Sequence, residues 1–230
     1  NTYLLALTCY YLNIDFSFLD EAIKEIFIKK WELVYEANKK IIKNIFDNIS
    51  LEKSNIKIEK IWEKKSFSYG NKMVSTGAID GELEYYSAYP MTPASSILTE
   101  IINSKRIKYL QAEDEVAVIN SALWASFTWS RAMVWTSWGW FALMTEALSF
   151  AVQAEFPITV ALSMRAWPST WTPTFFEQWD LNFALNPTFW DFDHVVLYPS
   201  SIEECYEFWA LALNIAEKFQ TVVILLLDKQ

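Results

Sequence analysis

Glycine and histidine are scarce in this chain, which has 4 glycines and 1 histidine in 230 residues. Globular proteins contain about 7 % glycine, or roughly 16 in a chain of this length. The lone His194 precedes an apolar strand pattern, so we interpret it as structural, and the lack of others argues against a histidine-based triad or zinc site. Cys9 and Cys205 lack CxxC spacing, so the sequence indicates neither a metal cluster nor a disulfide framework, and we expect no metal ligands in this chain.

A surplus of positive charge and long apolar runs are also missing. The formal net charge is −9, which argues against nucleic acid and anionic membranes as partners. No apolar run approaches the ~20 residues of a membrane span, and the first residues are not a signal peptide. Because the two cysteines suggest no disulfide framework, we expect a reducing, cytoplasmic setting. The chain starts at Asn1 without a methionine, directly in apolar sequence, which predicts a piece of a longer protein.

Tryptophan is in excess, with 12 residues. Many of them stand where glycine is usual: in loops after apolar strands, at helix ends, in turns, or on a helix face of small residues. These are Trp31, Trp124, Trp129, Trp138, Trp140, Trp167, Trp171, Trp179 and Trp190. We interpret them as glycine in the native protein, written as tryptophan because UGA, one base away from the glycine codon GGA, was translated as tryptophan. The alternative is that they are genuine core or interface aromatics.

The pattern of the chain changes twice along its length. Residues 1–47 carry apolar stripes at helical period, and residues 48–69, rich in Lys, Glu, Ser and Asn, are predicted to be a linker. From residue 70 onwards, short apolar strands alternate with helices. The predicted strands are 84–89, 107–112, 131–135, 158–164, 194–198 and 221–227, and the predicted helices are 71–81, 93–103, 114–128, 140–154, 175–184 and 201–218. This alternation predicts an α/β fold, a parallel sheet with helices on both faces, whose ligands bind beyond the carboxyl ends of the strands.

Four loop motifs carry a family resemblance: YPMTPASS, QAEDE, TSWGWFALMTEAL and SMRAWPSTWTPTFFEQWDL. With glycine in place of the suspect tryptophans, they resemble the α subunit of 2-oxoacid:ferredoxin oxidoreductases, most closely the 2-oxoglutarate type. The stretch FIKKWELVYEANKKII resembles the end of that family's γ domain, which in many bacteria is fused ahead of α. The resemblance implies that residues 1–47 end a γ domain and that residues 70–230 form the pyrimidine-binding type of thiamine-diphosphate domain, domain I of an incomplete α subunit.

The resemblance also implies an activity, cofactors and partners. The family oxidatively decarboxylates a 2-oxoacid to an acyl-CoA and passes the electrons to ferredoxin, with thiamine diphosphate as the electron sink and coenzyme A as co-substrate. Its β subunit holds the Mg²⁺ and a [4Fe–4S] cluster, so the chain is expected to act in a hetero-oligomer. Pyruvate or a branched-chain 2-oxoacid is the alternative substrate. A non-catalytic assembly subunit with a filled pocket is the alternative of a different class.

Site residues follow from the matching motifs. The resemblance assigns Glu115 to the carboxyl group beside the aminopyrimidine ring of the cofactor, a task for a partly desolvated acid of raised pKa. Glu113 is the second candidate, although a solvated acidic helix start also explains Glu113 and Asp114. Arg165 matches the arginine that binds the substrate's carboxylate, since arginine holds carboxylates in bidentate fashion. A surface arginine at a strand end is the alternative.

The remaining site predictions lie in the loops that follow two of the strands. Thr92 matches the threonine that contacts substrate and cofactor, and its alternative role is a helix N-terminal cap. Tyr89 and Pro90 in the same motif, and Ser137 and Gly139 in TSWGW, are predicted to line the cofactor pocket.

The glycine interpretation makes a direct prediction about the gene. We expect UGA codons at positions 138, 140, 167 and 171, read as glycine in the source. Sequencing the gene checks this, and UGG codons at these four positions would refute the interpretation.

Overall fold

The structure, a computed structural model, describes residues 1–27, 31–56, 67–91, 95–166, 177–189 and 193–228. The chain divides into two compact units, Asn1–Ser66 and Phe67–Gln230. The first contains α1 (Thr2–Tyr11), α2 (Phe16–Phe27) and α3 (Glu32–Asn48), as the helical pattern predicts. These helices share a small apolar core of Ala6, Cys9, Leu19, Ile23, Tyr35, Ile42 and Ile45. Of the predicted linker 48–69, residues 57–66 lie outside the described part of the chain.

The second unit is built on a six-stranded parallel sheet, and each predicted strand is confirmed. The strands are β1 (Tyr85–Ala88), β2 (Lys108–Gln111), β3 (Ala132–Ser137), β4 (Ile158–Ser163), β5 (Val195–Leu197) and β6 (Val222–Leu227). The helices are α4 (Gly70–Asp80), α5 (Ser95–Ser104), α6 (Glu115–Phe127), α7 (Thr145–Gln153), α8 (Leu181–Leu185) and α9 (Ile202–Phe219), with a 3-10 helix, η1, at Trp138–Met144. The strand order is β2-β1-β3-β4-β6-β5.

Helices cover both faces of the sheet, as the α/β pattern predicts. Successive side chains of a strand point to opposite faces. Val134 of β3 joins a cluster with residues of α6 and α7, whereas Met133 and Trp135 join a cluster with residues of α4, α5 and α9. The central strands β3, β4 and β6 are buried along their whole length. Burial on both faces is the reason why they read as nearly continuous apolar runs.

Two predicted helices differ from the structure. The helix predicted over 140–154 is split, because the chain leaves β3 through the tight turns of η1 before α7 begins at Thr145. The helix predicted over 175–184 is reduced to the five residues of α8, and within the described residues 177–180 are not helical. Both differences fall at the carboxyl edge of the sheet, where tertiary contacts override the local period.

Backbone angles and burial test the glycine interpretation at individual tryptophan positions. Trp129 and Trp138 have φ angles of 65° and 48°, the left-handed region that favours glycine. Trp124 is 69 % exposed on α6, so the expectation that it interrupts a packed helix face is wrong. Trp31 has a φ of −155° and precedes α3, so the expected left-handed helix end is also absent there. Trp167, Trp171 and Trp190 lie outside the described residues.

Trp135 and Trp209 are genuine core positions of this structure. Both are fully buried in the cluster beneath α4, α5 and α9, together with Tyr86. The indole nitrogens and the phenol oxygen have no hydrogen-bond partner among the described residues. A buried polar group without a partner costs about 1–3 kcal/mol. This part of the core therefore carries a penalty that an apolar side chain would not.

The left-handed conformation of Trp129 predicts a stabilising substitution. Trp129→Gly should raise the free energy of unfolding by about 1 kcal/mol, because a side chain at a left-handed helix end is strained and glycine is not. The matched control is Trp124→Gly, inside the helix that Trp129 follows, which should lower the free energy of unfolding by about 0.5–1 kcal/mol. Urea unfolding of both variants measures the difference, and an equal loss of stability in both would contradict strain at Trp129.

Candidate active site

Four strand ends bring the predicted site residues to one edge of the sheet. Because the strands are parallel, their carboxyl ends share that edge, where ligands of such sheets bind. Tyr89 and Pro90 follow β1, Glu115 follows β2, Ser137 ends β3 and Arg165 follows β4. The strand pattern predicts this shared edge for the loops, and the fold brings them there, whereas the roles of the residues stay predictions.

Glu115 is the buried acid of the QAEDE motif. It is the first residue of α6 and is 1 % exposed, whereas Glu113 and Asp114 are exposed. Asp114 caps the helix, since its carboxylate accepts a hydrogen bond of 2.7 Å from the amide of Ala117. The Oε1 atom of Glu115 is buried and has no hydrogen-bond partner among the described residues. Burial raises the pKa of Glu115, its own backbone amide lowers it, and the charge of Asp114 adds to the rise.

Arg165 is buried as well, with 5 % of its surface exposed. The alternative that it is a surface arginine is therefore wrong. Its Nη2 atom has no hydrogen-bond partner within the described ranges. Burial lowers the pKa of Arg165, and the charge of Asp180 opposes that effect. A buried guanidinium with an unused nitrogen can bind an anion that enters the site.

Asp180, which the sequence reasoning missed, is the acid beside Arg165. It is 4 % exposed and lies directly before α8, and its Oδ2 atom accepts a hydrogen bond of 3.3 Å from the backbone amide of Arg165. Burial raises the pKa of Asp180 to about 6, while the amide and the charge of Arg165 lower it. Asp180 lies in the motif SMRAWPSTWTPTFFEQWDL, 15 positions after Arg165, and this position was the one sequence feature that could have indicated it. Nothing in that spacing indicates a contact, because only the fold brings the two together.

The turn after β3 combines a structural hydroxyl with a strained aromatic. Ser137 is buried, and its Oγ donates a hydrogen bond of 2.8 Å to the carbonyl of Ser163, which ties the ends of β3 and β4 together. The ring of left-handed Trp138 lies over the guanidinium of Arg165, 5.6 Å from its Cζ to the ring centroid. Gly139 is exposed, and a Cβ added there meets nothing within 4 Å. Space among the described residues therefore does not require glycine at position 139.

The loop after β1 is only partly described. Tyr89 is half-buried and packs against both apolar clusters of the unit, while Pro90 is exposed. Thr92 lies outside the described residues. The cofactor and substrate contacts expected of these three residues stay predictions.

Arg131 and His194 make structural contacts away from this edge. Arg131 donates hydrogen bonds to the carbonyl of Gly81 and the side chain of Asn214, and its Nε lies 3.2 Å from Glu217. The Nε2 atom of His194 lies 2.8 Å from the carbonyl oxygen of Ala184. Over the described ranges, no group of three or more His, Cys, Asp or Glu could hold a metal ion. In the same ranges no helix is long and apolar enough to cross a membrane.

The strand order sets the separation of the two buried charges. Glu115 follows β2 and Arg165 follows β4, and β1 and β3 lie between them. At a strand spacing of about 4.8 Å, the two strand ends are about 14 Å apart. Glu115 and Arg165 thus follow strands that are not neighbours in the sheet.

Comparisons with known proteins identify the family of this chain. A family profile described as pyruvate flavodoxin/ferredoxin oxidoreductase, thiamine diP-bdg, matches residues 76–230. The 2-oxoacid:ferredoxin oxidoreductase 1, subunit alpha, of Sulfurisphaera tokodaii is 35 % identical over 233 residues, which cover 95 % of this chain and 37 % of the relative. The 2-oxoglutarate synthase subunit KorA of Methanocaldococcus jannaschii is 34 % identical over 170 residues, 72 % of this chain and 46 % of the relative.

A solved structure extends the match to three dimensions. It is a 2-oxoglutarate:ferredoxin oxidoreductase from Magnetococcus marinus with 2-oxoglutarate, coenzyme A and succinyl-CoA bound. The TM-score is 0.85 at 32 % identity, over 99 % of this chain and 41 % of that one. The chain thus spans less than half the length of these relatives. It belongs to the pyruvate flavodoxin/ferredoxin oxidoreductase family and has the fold of that family's thiamine-diphosphate-binding domain.

Proposed function

We propose that this chain is part of the α subunit of an enzyme that oxidatively decarboxylates a 2-oxoacid to an acyl-CoA and passes the electrons to ferredoxin. The observation that carries the proposal is the pair of buried charged side chains at one sheet edge, each with a polar atom that no described residue binds. These are Glu115 with Oε1 and Arg165 with Nη2. 2-Oxoglutarate is the proposed substrate, because one relative is named 2-oxoglutarate synthase and the solved neighbour has 2-oxoglutarate bound.

Glu115 fits the role of the acid beside the cofactor's aminopyrimidine ring. Its free Oε1 is buried at the start of α6, and the raised pKa favours a protonated carboxyl that can donate a hydrogen bond to a ring nitrogen. Thiamine diphosphate, when bound, supplies the electron sink for decarboxylation. Tyr89, Pro90, Ser137 and Gly139 are the proposed walls of the same pocket.

Arg165 fits the role of the substrate anchor. A 2-oxoacid carries a carboxylate next to its ketone, and a guanidinium binds a carboxylate through two parallel hydrogen bonds. The buried surroundings strengthen this attraction, because water does not screen it. Thr92, after β1, is proposed to contact substrate and cofactor. A cofactor with its substrate would lie between Glu115 and Arg165, whose strand ends are about 14 Å apart.

The rest of the enzyme is proposed to lie outside this chain. We assign Mg²⁺ and the [4Fe–4S] cluster to a partner β subunit, and we expect coenzyme A and ferredoxin to bind the hetero-oligomer. Residues 1–47 are proposed to end a γ-type domain, residues 48–69 to link it to the second unit, and residues 70–230 to be domain I of the α subunit. The protein is proposed to be cytoplasmic.

One observation favours a second candidate, a non-catalytic assembly subunit. The indole of Trp138 lies over the guanidinium of Arg165, so a cation–π contact already engages the proposed substrate anchor. If Trp138 is glycine in the native protein, this contact is absent and the enzymatic function is favoured. If Trp138 is genuine, the guanidinium keeps an aromatic partner in the absence of substrate.

Substitutions at the two buried charges are expected to separate binding from chemistry. In the full-length subunit assembled with its partner β subunit, Arg165→Ala should raise KM for 2-oxoglutarate by about 10- to 100-fold, the loss of a charge-assisted hydrogen bond. Glu115→Gln should lower kcat by about 100-fold or more, the usual effect of removing a general acid–base. Thiamine-dependent reduction of a viologen dye measures both constants.

The control for these two variants is Arg106→Ala. Arg106 is an exposed arginine of the same unit whose ion pair with Asp80 is 3.9 Å long, and its loss should leave both constants unchanged. The reverse pattern, a kcat effect at Arg165 and a KM effect at Glu115, would contradict the assigned roles.

Trp138→Gly discriminates between the two candidate functions. In the same complex, the substitution is expected to increase dye reduction with 2-oxoglutarate, because it removes the ring above Arg165 and relieves the left-handed strain. Pyruvate and a branched-chain 2-oxoacid, assayed in parallel, test the alternative substrates. A complex that contains thiamine diphosphate but stays inactive with every 2-oxoacid would support the assembly subunit instead.

A further inference from the structure

Asp180 and Arg165 are paired in an unusual way. Two buried groups of opposite charge normally meet side chain to side chain, and a carboxylate can then occupy both nitrogens of the guanidinium fork. Here the carboxylate of Asp180 accepts a hydrogen bond from the backbone amide of Arg165, at 3.3 Å. The Nη2 atom of the guanidinium keeps no hydrogen-bond partner among the described residues. The acid therefore contacts the main chain of the arginine and leaves its Nη2 atom available.

The charge of Asp180 nevertheless acts on the guanidinium. Burial lowers the pKa of Arg165, and the nearby carboxylate opposes that shift. The same carboxylate also links two segments of the chain, because its hydrogen bond joins the residue after β4 to the residue before α8. One side chain thus fixes the backbone of Arg165 and compensates its buried charge.

We propose that Asp180 is a positioning residue for substrate binding: it holds Arg165 by its backbone and by its charge, so that the guanidinium fork stays free for the carboxylate of a 2-oxoacid. This inference rests on the proposed role of Arg165 as substrate anchor. It assigns no chemical step to Asp180, which acts through Arg165 alone.

Among the charged groups near Asp180, Arg165 is the one that affects its pKa. The helix that follows, α8, contains no titratable side chain. His194 contacts α8 at its far end, through the carbonyl of Ala184. Asp228 and Tyr198 bind each other and Gln178, two positions before Asp180. Of these groups, Arg165 is the one that shifts the pKa of Asp180, by lowering it against the effect of burial.

The upward shift of the Asp180 pKa distinguishes a role in positioning Arg165 from a role in stabilising the fold. Because the pKa of Asp180 is raised from 3.8 to about 6, its contribution to stability is present below pH 3.8 and lost as the pH rises through about 6. The folded protein thus favours the neutral acid, whereas the proposed role requires the charged one. A neutral amide at this position should therefore preserve stability and impair substrate binding.

The test is Asp180→Asn in the full-length subunit assembled with its partner β subunit. KM for 2-oxoglutarate is expected to rise about tenfold, with kcat changed less than about threefold, because the substitution weakens one positioned charge-assisted contact. The urea midpoint of the variant at about pH 8 should equal or exceed that of the parent protein. Asp193→Asn, which neutralises an exposed acid of the same unit, is the matched control and should change neither quantity.

The pH profile supplies a second measurement. In the parent protein, KM should rise as the pH falls through about 6, where Asp180 becomes protonated. In Asp180→Asn, KM should stay at its raised value across the same range, and Asp180→Glu, which keeps the charge, should restore part of the affinity. Loss of the parent's pH dependence in the variant supports the proposal.

Two outcomes would overturn the inference without touching the proposed function. One is an unchanged KM in Asp180→Asn while Arg165→Ala raises it. The other is a lowered urea midpoint with fewer active complexes and an unchanged KM, which would make Asp180 a structural residue. If Arg165→Ala itself leaves KM unchanged, the proposed role of Arg165 fails first, so the two failures are distinguishable.

Discussion

Parallel pairing of the six strands is the constraint on which the rest of the second unit depends. A parallel strand needs a crossover after it, so helices must cover both faces of the sheet and the central strands must be buried. The same pairing sends every carboxyl end to one edge. Glu115, Ser137 and Arg165, which are far apart in the chain, reach a common edge for this reason.

Burial at that edge gives ordinary side chains unusual properties. Glu115 and Asp180 have raised pKa values because water is excluded, and Arg165 has a lowered one for the same reason. Keeping such groups buried opposes the stability of the fold. Sites for binding and chemistry often conflict with the most stable packing.

The tryptophans divide into groups once their backbone and burial are known. Trp129 and Trp138 occupy left-handed conformations that suit glycine, whereas Trp124 occupies an ordinary helical position in water. Trp135 and Trp209 are buried, and their indole nitrogens find no hydrogen-bond partner in the part of the chain that the structure describes. Glycine at every suspect position is therefore not required by local backbone geometry, and the gene sequence is the direct measurement for the whole set.

The sequence by itself determined the α/β class, the six strands, the helical first unit and the sheet edge that the motif-bearing loops share. Those features depend on hydrophobic periodicity and on turn residues, which are properties of near neighbours in the chain. The short apolar run of residues 158–164 is an example. Helix limits at the active edge could not be predicted, because η1 and α8 follow tertiary contacts rather than local period.

Only the tertiary structure decided which acid of QAEDE is buried, how strands β1 to β6 are ordered, and that Asp180 meets Arg165. The motif contains three acids of similar chemistry, and the burial of Glu115 depends on how α6 packs against the sheet. A hydrogen bond between residues 15 positions apart depends on where β4 ends and α8 begins. Burial and long-range pairing are properties of the assembled layers, and no stretch of the chain contains them by itself.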